Sequence, residues 1–140
     1  MLLHIVARGK IGRSPEAELV ERYVKRMAWP TKITELPDRG GKVPALPSSS
    51  VLVVLDERGE ALSSIELANK LDGWRESGKR EVRFLIGSHS GHDEAQRSAA
   101  ELLLSFGPAT WPHLLVRAML AEQLFRAMSI LAKHPYHREG

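Results

Sequence analysis

The residue types best able to handle a charged substrate or a proton are gathered at the end of this 140-residue chain. They read His134-Pro135-Tyr136-His137-Arg138, two imidazoles, a phenol and a guanidinium on a segment that Pro135 stiffens. A chain end is usually bland and frayed. This one supplies hydrogen-bond donors, a fixed positive charge and groups able to exchange a proton. A second candidate is the turn Gly87-Ser88-His89-Ser90-Gly91-His92. It lacks the glycine spacing of a dinucleotide fingerprint and the Lys-Ser/Thr of a P-loop. His89 stands where a nucleophile elbow requires serine. His89, His92 and Asp93 are metal-ligating types, but neighbouring ligands in one turn rarely close a site, and no distant His/Cys pair completes them. No metal is expected. What remains is a glycine-rich turn that lets backbone approach a ligand.

The elements that must position these groups follow from local signals. An apolar run over Leu2–Ala7 predicts a first strand. Ser14-Pro15 with Glu16 and Glu18 predicts a helix start, carried on by Val20, Tyr23, Val24 and Met27 and stopped by Trp29-Pro30. Thr31–Leu36 reads as a second strand. The stretch from Pro37 to Ser50, with three Pro, two Gly and three Ser, reads as a loop. Val51–Leu55 suits a strand buried on both faces. Ser63 and Glu66 form a capping-box pattern, with Gly78 as the helix stop. Val82–Ile86, a short helix from Asp93 to about Ala100, a strand Leu102–Phe106 and a long helix from near Pro112 to before Pro135 complete the chain.

Alternating strands and helices predict a single α/β domain, residues 1–140, with a mainly parallel sheet. In such sheets ligands sit beyond the carboxyl ends of the strands. That rule selects Asp56–Glu60, Gly87–His92 and Gly107–Pro112. The long helix is apolar over most of its circumference, from Leu114 and Met119 through Leu124, Phe125 and Met128 to Leu131. A chain this small cannot easily surround it, so a homodimer interface is expected. Arg117, Glu122, Gln123 and Arg126 interrupt that surface, as interfacial ion pairs or as part of a site at the dimer edge.

The net charge of +3 permits a nucleic-acid partner without requiring one. Arg8, Lys10, Arg13, Lys133 and Arg138 are the candidate phosphate contacts. No stretch is long enough to span a bilayer, and the apolar start lacks the basic flank of a signal peptide. With no cysteine, an intracellular site, the cytoplasm, is the simplest expectation.

Leu85-Ile86-Gly87 with Gly91, Leu104-Ser105-Phe106, Pro112-His113, Val116-Arg117, Ala121-Glu122-Gln123-Leu124-Phe125-Arg126-Ala127 and Tyr136-His137-Arg138 together resemble the RlmH (YbeA-type) family. These are small SPOUT methyltransferases acting on a pseudouridine of large-subunit ribosomal RNA. The resemblance implies a trefoil knot near the carboxyl terminus, a rare exception to unthreaded folds, and a homodimer. It implies an S-adenosylmethionine pocket lined by Leu55, Gly87, Phe106, Gly107, Pro108, Ala109, Thr110 and Trp111. It implies methylation at N3, with Tyr136, His137 and Arg138 as catalytic candidates. Ser88 and Ser90 depart from the family's turn, and the segment between the second and third strands is shorter. The rival expectation is a ribosomal-RNA-binding protein of the same fold without catalysis.

Overall fold

The computed structural model describes residues 1–87 and 94–138. Five strands and four helices are described: β1 (Leu2–Arg8), α1 (Pro15–Val24), β2 (Thr31–Leu36), β3 (Ser50–Glu60), α2 (Ser64–Glu76), β4 (Glu81–Ile86), α3 (Glu94–Ala99), β5 (Leu102–Leu104) and α4 (His113–Leu131). They alternate except that β3 follows β2 directly. The strands form one sheet in the order β2-β1-β4-β3-β5, and every pairing is parallel. The α/β class, the parallel sheet and the order of elements are as the sequence predicts.

Local chemistry explains the helix ends. Ser14 accepts a hydrogen bond from the Ala17 amide at 3.0 Å, with Pro15 next in line. The helix closes at Val24, earlier than the apolar spacing through Met27 suggests, and the chain leaves in a turn. Ser63 and Glu66 form the reciprocal box, Ser63 Oγ accepting from the Glu66 amide and Glu66 accepting from the Ser63 amide. After α2, Gly78 takes a φ of 87°, and the Gly78 and Lys79 amides bond back to Arg75 and Trp74. That is the Schellman termination, which needs the left-handed conformation glycine adopts most easily.

One face of the sheet carries the main core. Leu3, Ile5, Val53, Phe84, Val82 and Leu104 pack beneath Leu67 and Leu71 of α2 and Leu120, Leu124 and Met128 of α4. On the same side Val20 of α1 packs on Ala118 and Ala121 of α4. Helix α4 is therefore flanked by both α1 and α2. The expectation that a small chain cannot bury this helix needs correction: Leu120, Ala121, Leu124 and Ala127 are fully buried within one chain. Leu114, Leu115, Val116, Met119, Phe125, Ile130 and Leu131 stay partly exposed.

The opposite face is covered differently. Val6, Leu36, Val54 and Leu85 are sealed by Val43 of the 37–49 loop, with Ala100 and Leu103 beside them. The buried Arg83 guanidinium holds that loop by the carbonyls of Pro44 (2.5 Å) and Ala45 (3.3 Å). Arg8 holds its start by the carbonyls of Pro37 (3.0 Å) and Gly40 (2.5 Å). Beside Arg83, His4 bridges Glu81 (3.1 Å) and Thr34 (2.8 Å), and the Glu81 carboxylate lies 3.5 Å from Arg83 Nε.

Two strand boundaries differ from the sequence reading. Asp56–Glu60 is not a turn but the continuation of β3, which pairs with Leu104 at both Leu55 and Glu60 across an irregular register. Strand β5 ends at Leu104 and not Phe106.

Candidate active site

The carboxyl ends of β3, β4 and β5 lie side by side, and this edge gathers the first predicted set. Leu55, 7% exposed, sits where the register of β3 breaks. Gly87 directly follows β4. The segment 105–112 leaves β5 and is braced rather than loose. Ser105, buried, accepts from the Gly107 amide at 3.0 Å, and its hydroxyl lies 2.8 Å from the Gly107 carbonyl and 3.2 Å from that of Glu57. Thr110 donates to the Glu57 carboxylate at 2.7 Å, and the Trp111 indole N–H donates to the Phe106 carbonyl at 3.3 Å. Gly107 has a φ of 105° and open space where a side chain would stand, so bare backbone faces outward there. Phe106 packs on the core, whereas Pro108, Ala109 and Thr110 are exposed and Trp111 is 43% exposed.

Such an edge suits a purine-bearing cofactor. Leu55 and Phe106 offer apolar contact, the missing side chain of Gly107 leaves room for close approach, and Trp111 offers a ring for stacking. Asp56 anchors the neighbouring α3 through Arg97 at 2.9 Å and is capped by the Arg58 amide at 2.8 Å. Burial alone would raise this carboxyl. The Arg58 amide and the Arg97 and Arg58 charges outweigh it and hold the pKa below its ordinary value. Sequence reasoning selected Asp56–Glu60 and quoted Ser105, but it missed the bracing contacts of Glu57 and Ser105 and the Asp56–Arg97 pair, because these come from the continuation of β3 past Leu55.

The tail forms a second centre. Tyr136 meets Phe125 edge-on at 4.8 Å between ring centroids, and the Arg126 guanidinium covers the Tyr136 ring at 4.8 Å. Phe125 in turn lies 5.7 Å from Tyr23 of α1. Burial, then a hydrogen bond to Tyr23 and the charge of Glu122, push the Tyr136 phenol up to about 12 against the opposing pull of Arg126. Tyr136 thus stays protonated at neutral pH. His137 and Arg138 line a cleft of about 490 Å³ with Ser63, Ser64 and Ile65 at the start of α2 and Glu122, Gln123 and Arg126 of α4. Ser64 donates to Gln123 at 2.7 Å, Arg126 donates to Glu122 at 2.7 Å, and Arg126 lies 3.2 Å from His137 Nδ1.

Among the described residues the two sets are gathered separately within one chain: none of Leu55, Gly87 and 105–112 lines the tail cleft. Of the four residues that interrupt the apolar surface of α4 in the sequence reading, Glu122, Gln123 and Arg126 do belong to this cleft. Arg117 does not, and its expected place at an interface is corrected. It is 1% exposed, bound to Glu35 at 2.6 Å and to the Gly9 carbonyl at 3.0 Å. Of the candidate phosphate contacts, Lys10, Arg13, Lys133 and Arg138 are exposed, whereas Arg8 is occupied with the 37–49 loop. His89, His92 and Asp93, with the departures Ser88 and Ser90, lie outside the described residues. Among the described residues no cluster of His, Asp or Glu is placed to hold a metal, and no helix is long and apolar enough to cross a membrane.

Comparison with known proteins places the chain among methyl-transferring enzymes. Residues 1–137 match the family model described as "Predicted SPOUT methyltransferase". The chain is 69% identical over 140 residues to a Rhizorhabdus wittichii protein named Ribosomal RNA large subunit methyltransferase H, covering all of both chains. It is 66% identical over 142 residues to a protein of the same name from Novosphingobium aromaticivorans, again over the whole of both. Among solved structures, a probable methylase family protein from Haemophilus influenzae superposes with a TM-score of 0.62 at 12% identity, over 98% of this chain and 70% of that one. The tRNA (m1G37) methyltransferase of Aquifex aeolicus does so with a TM-score of 0.54 at 14% identity, over 99% and 75%.

Proposed function

The chain belongs to the SPOUT methyltransferase family, and from that premise we propose that it methylates large-subunit ribosomal RNA in the cytoplasm, at N3 of a pseudouridine, with S-adenosylmethionine as donor. The observation that carries this reading is identity of 69% along the entire chain with a relative named for large-subunit ribosomal RNA methylation. The non-catalytic alternative has no such support. When bound, S-adenosylmethionine supplies a methyl group already activated on a sulfonium sulfur.

The chain's own residues do the rest. Leu55, Gly87 and Phe106–Trp111 hold the donor at the carboxyl edge. The target nitrogen lies between two carbonyls and keeps its proton at neutral pH. As that proton leaves, negative charge spreads onto the flanking oxygens. Arg138 stabilises that charge or an adjacent phosphate, while Tyr136 and His137 orient the base. Exposed Lys10, Arg13 and Lys133 add attraction for the phosphate backbone that weakens with salt.

The active form is a homodimer through α4. Its partly exposed apolar side chains support this, and so does the separation of tail cleft and carboxyl edge within one chain, which a second copy would bridge. The proposal includes a knotted path for the segment after β5, implied by the family resemblance.

Mass spectrometry of ribosomal RNA from cells lacking the protein tests the function. One methylated pseudouridine is expected to disappear and to return with the wild-type gene. Unchanged ribosomal RNA would overturn the proposal.

A further inference from the structure

Arg126 engages three groups at once. Its Nε donates to Glu122 at 2.7 Å, one terminal nitrogen lies 3.2 Å from His137 Nδ1, and its plane covers the Tyr136 ring at 4.8 Å. A guanidinium has five donors and no acceptor, and it keeps its charge wherever the protein is folded. The nitrogen facing it must offer a lone pair. His137 Nδ1 is then the bare nitrogen of the ring, and a neutral imidazole carries its proton on Nε2. The guanidinium is not free to turn away. Glu122 holds it one helical turn earlier on α4, and the Tyr136 face fixes its plane. Tyr136 is itself held by the edge contact with Phe125.

We propose that Arg126 is a positioning residue for methyl transfer, holding His137 in the Nε2–H tautomer so that its Nδ1 is engaged and this histidine does not accept the substrate proton. The inference rests on the functional reading above and sharpens the role of the tail. With His137 Nδ1 engaged by Arg126, and Arg138 beside it in the cleft, the tail is built to receive negative charge. The proton of the target nitrogen then leaves to solvent, and the electron pair it leaves behind forms the new N–C bond as the methyl–sulfur bond breaks and its pair returns to a neutral thioether sulfur.

The test is a long-range proton–nitrogen correlation spectrum of full-length protein labelled with ¹⁵N-histidine, at neutral pH. Wild type is expected to show His137 protonated at Nε2 and bare at Nδ1. In Arg126→Met the two tautomers are expected to mix, and kcat on ribosomes should fall about tenfold or more with a smaller change in KM, the usual scale for losing a partner that orients a functional histidine. Arg126→Lys keeps a donor and should restore part of both. A wild-type ring protonated at Nδ1, an unchanged tautomer in Arg126→Met, or an unchanged kcat in that variant would each overturn the proposal. Failure of the functional reading shows differently, as absence of methyl transfer by the wild-type protein. The wild-type spectrum needs no variant, so a substitution that fails to fold does not block the test.

Discussion

At the scale of single residues, the tail divides into groups that pack and groups that face the cleft. Tyr136 packs between Phe125 and Arg126, and its phenol is held up to about 12. The native state keeps this proton where the unfolded chain, with an ordinary value of 10.0, would release it. The stability contributed by this group is therefore constant below pH 10 and is lost as pH rises from about 10 towards about 12. Tyr136→Phe should remove this slope in alkaline denaturation while keeping most methyl transfer, because the ring contacts survive. Tyr136→Ala should lose transfer along with the ring. The tail was legible in the sequence because its residue types are chemically unusual for a chain end. The service of Arg126 to His137 was not, since eleven positions and a reversal of the chain separate them. Tyr23 was read only as one apolar position of a helix, and nothing local tells that its ring meets Phe125 of α4.

At the scale of elements, what is settled within four residues was readable and what is settled by pairing was not. Ser14-Pro15 and Ser63…Glu66 fix their helix starts by bonds three residues long, and both starts fall where the sequence puts them. Asp56–Glu60 looks like a polar turn, yet it continues β3 because β5 supplies a partner. Gly59 makes this possible: a methyl group there would collide with the Leu103 carbonyl. Gly59→Ala should therefore cost about 1–3 kcal/mol in denaturant unfolding through forced repacking. Gly73 of α2 has nothing near the position a methyl group would take. Gly73→Ala should instead stabilise by about 0.5–1 kcal/mol, and the opposite signs of the two changes check the assignment.

At the scale of the whole molecule, one chain accounts for most but not all of the apolar surface of α4. Leu115, Met119 and Glu122 recur every three or four residues, so they share a face that continues into the tail cleft. Sedimentation should find a dimer, and Met119→Glu should shift it to monomer without unfolding it. Mixing an inactive Arg138→Ala chain with an inactive Gly107→Trp chain should restore transfer if tail and carboxyl edge of different subunits cooperate. Failure to restore transfer would place both in one subunit. The two sides of the sheet also differ in how they are closed. Three helices seal one side with buried side chains. The other is shut by the 37–49 loop, fastened by Arg8 and Arg83 to backbone carbonyls. Releasing those few bonds uncovers Val6, Leu36, Val54 and Leu85 while the helical side stays intact. The molecule thus has a built-in order of opening. Amide exchange and proteolytic nicking should begin at this loop and the adjoining edge strand β2, long before the helical layer that carries the tail lets go.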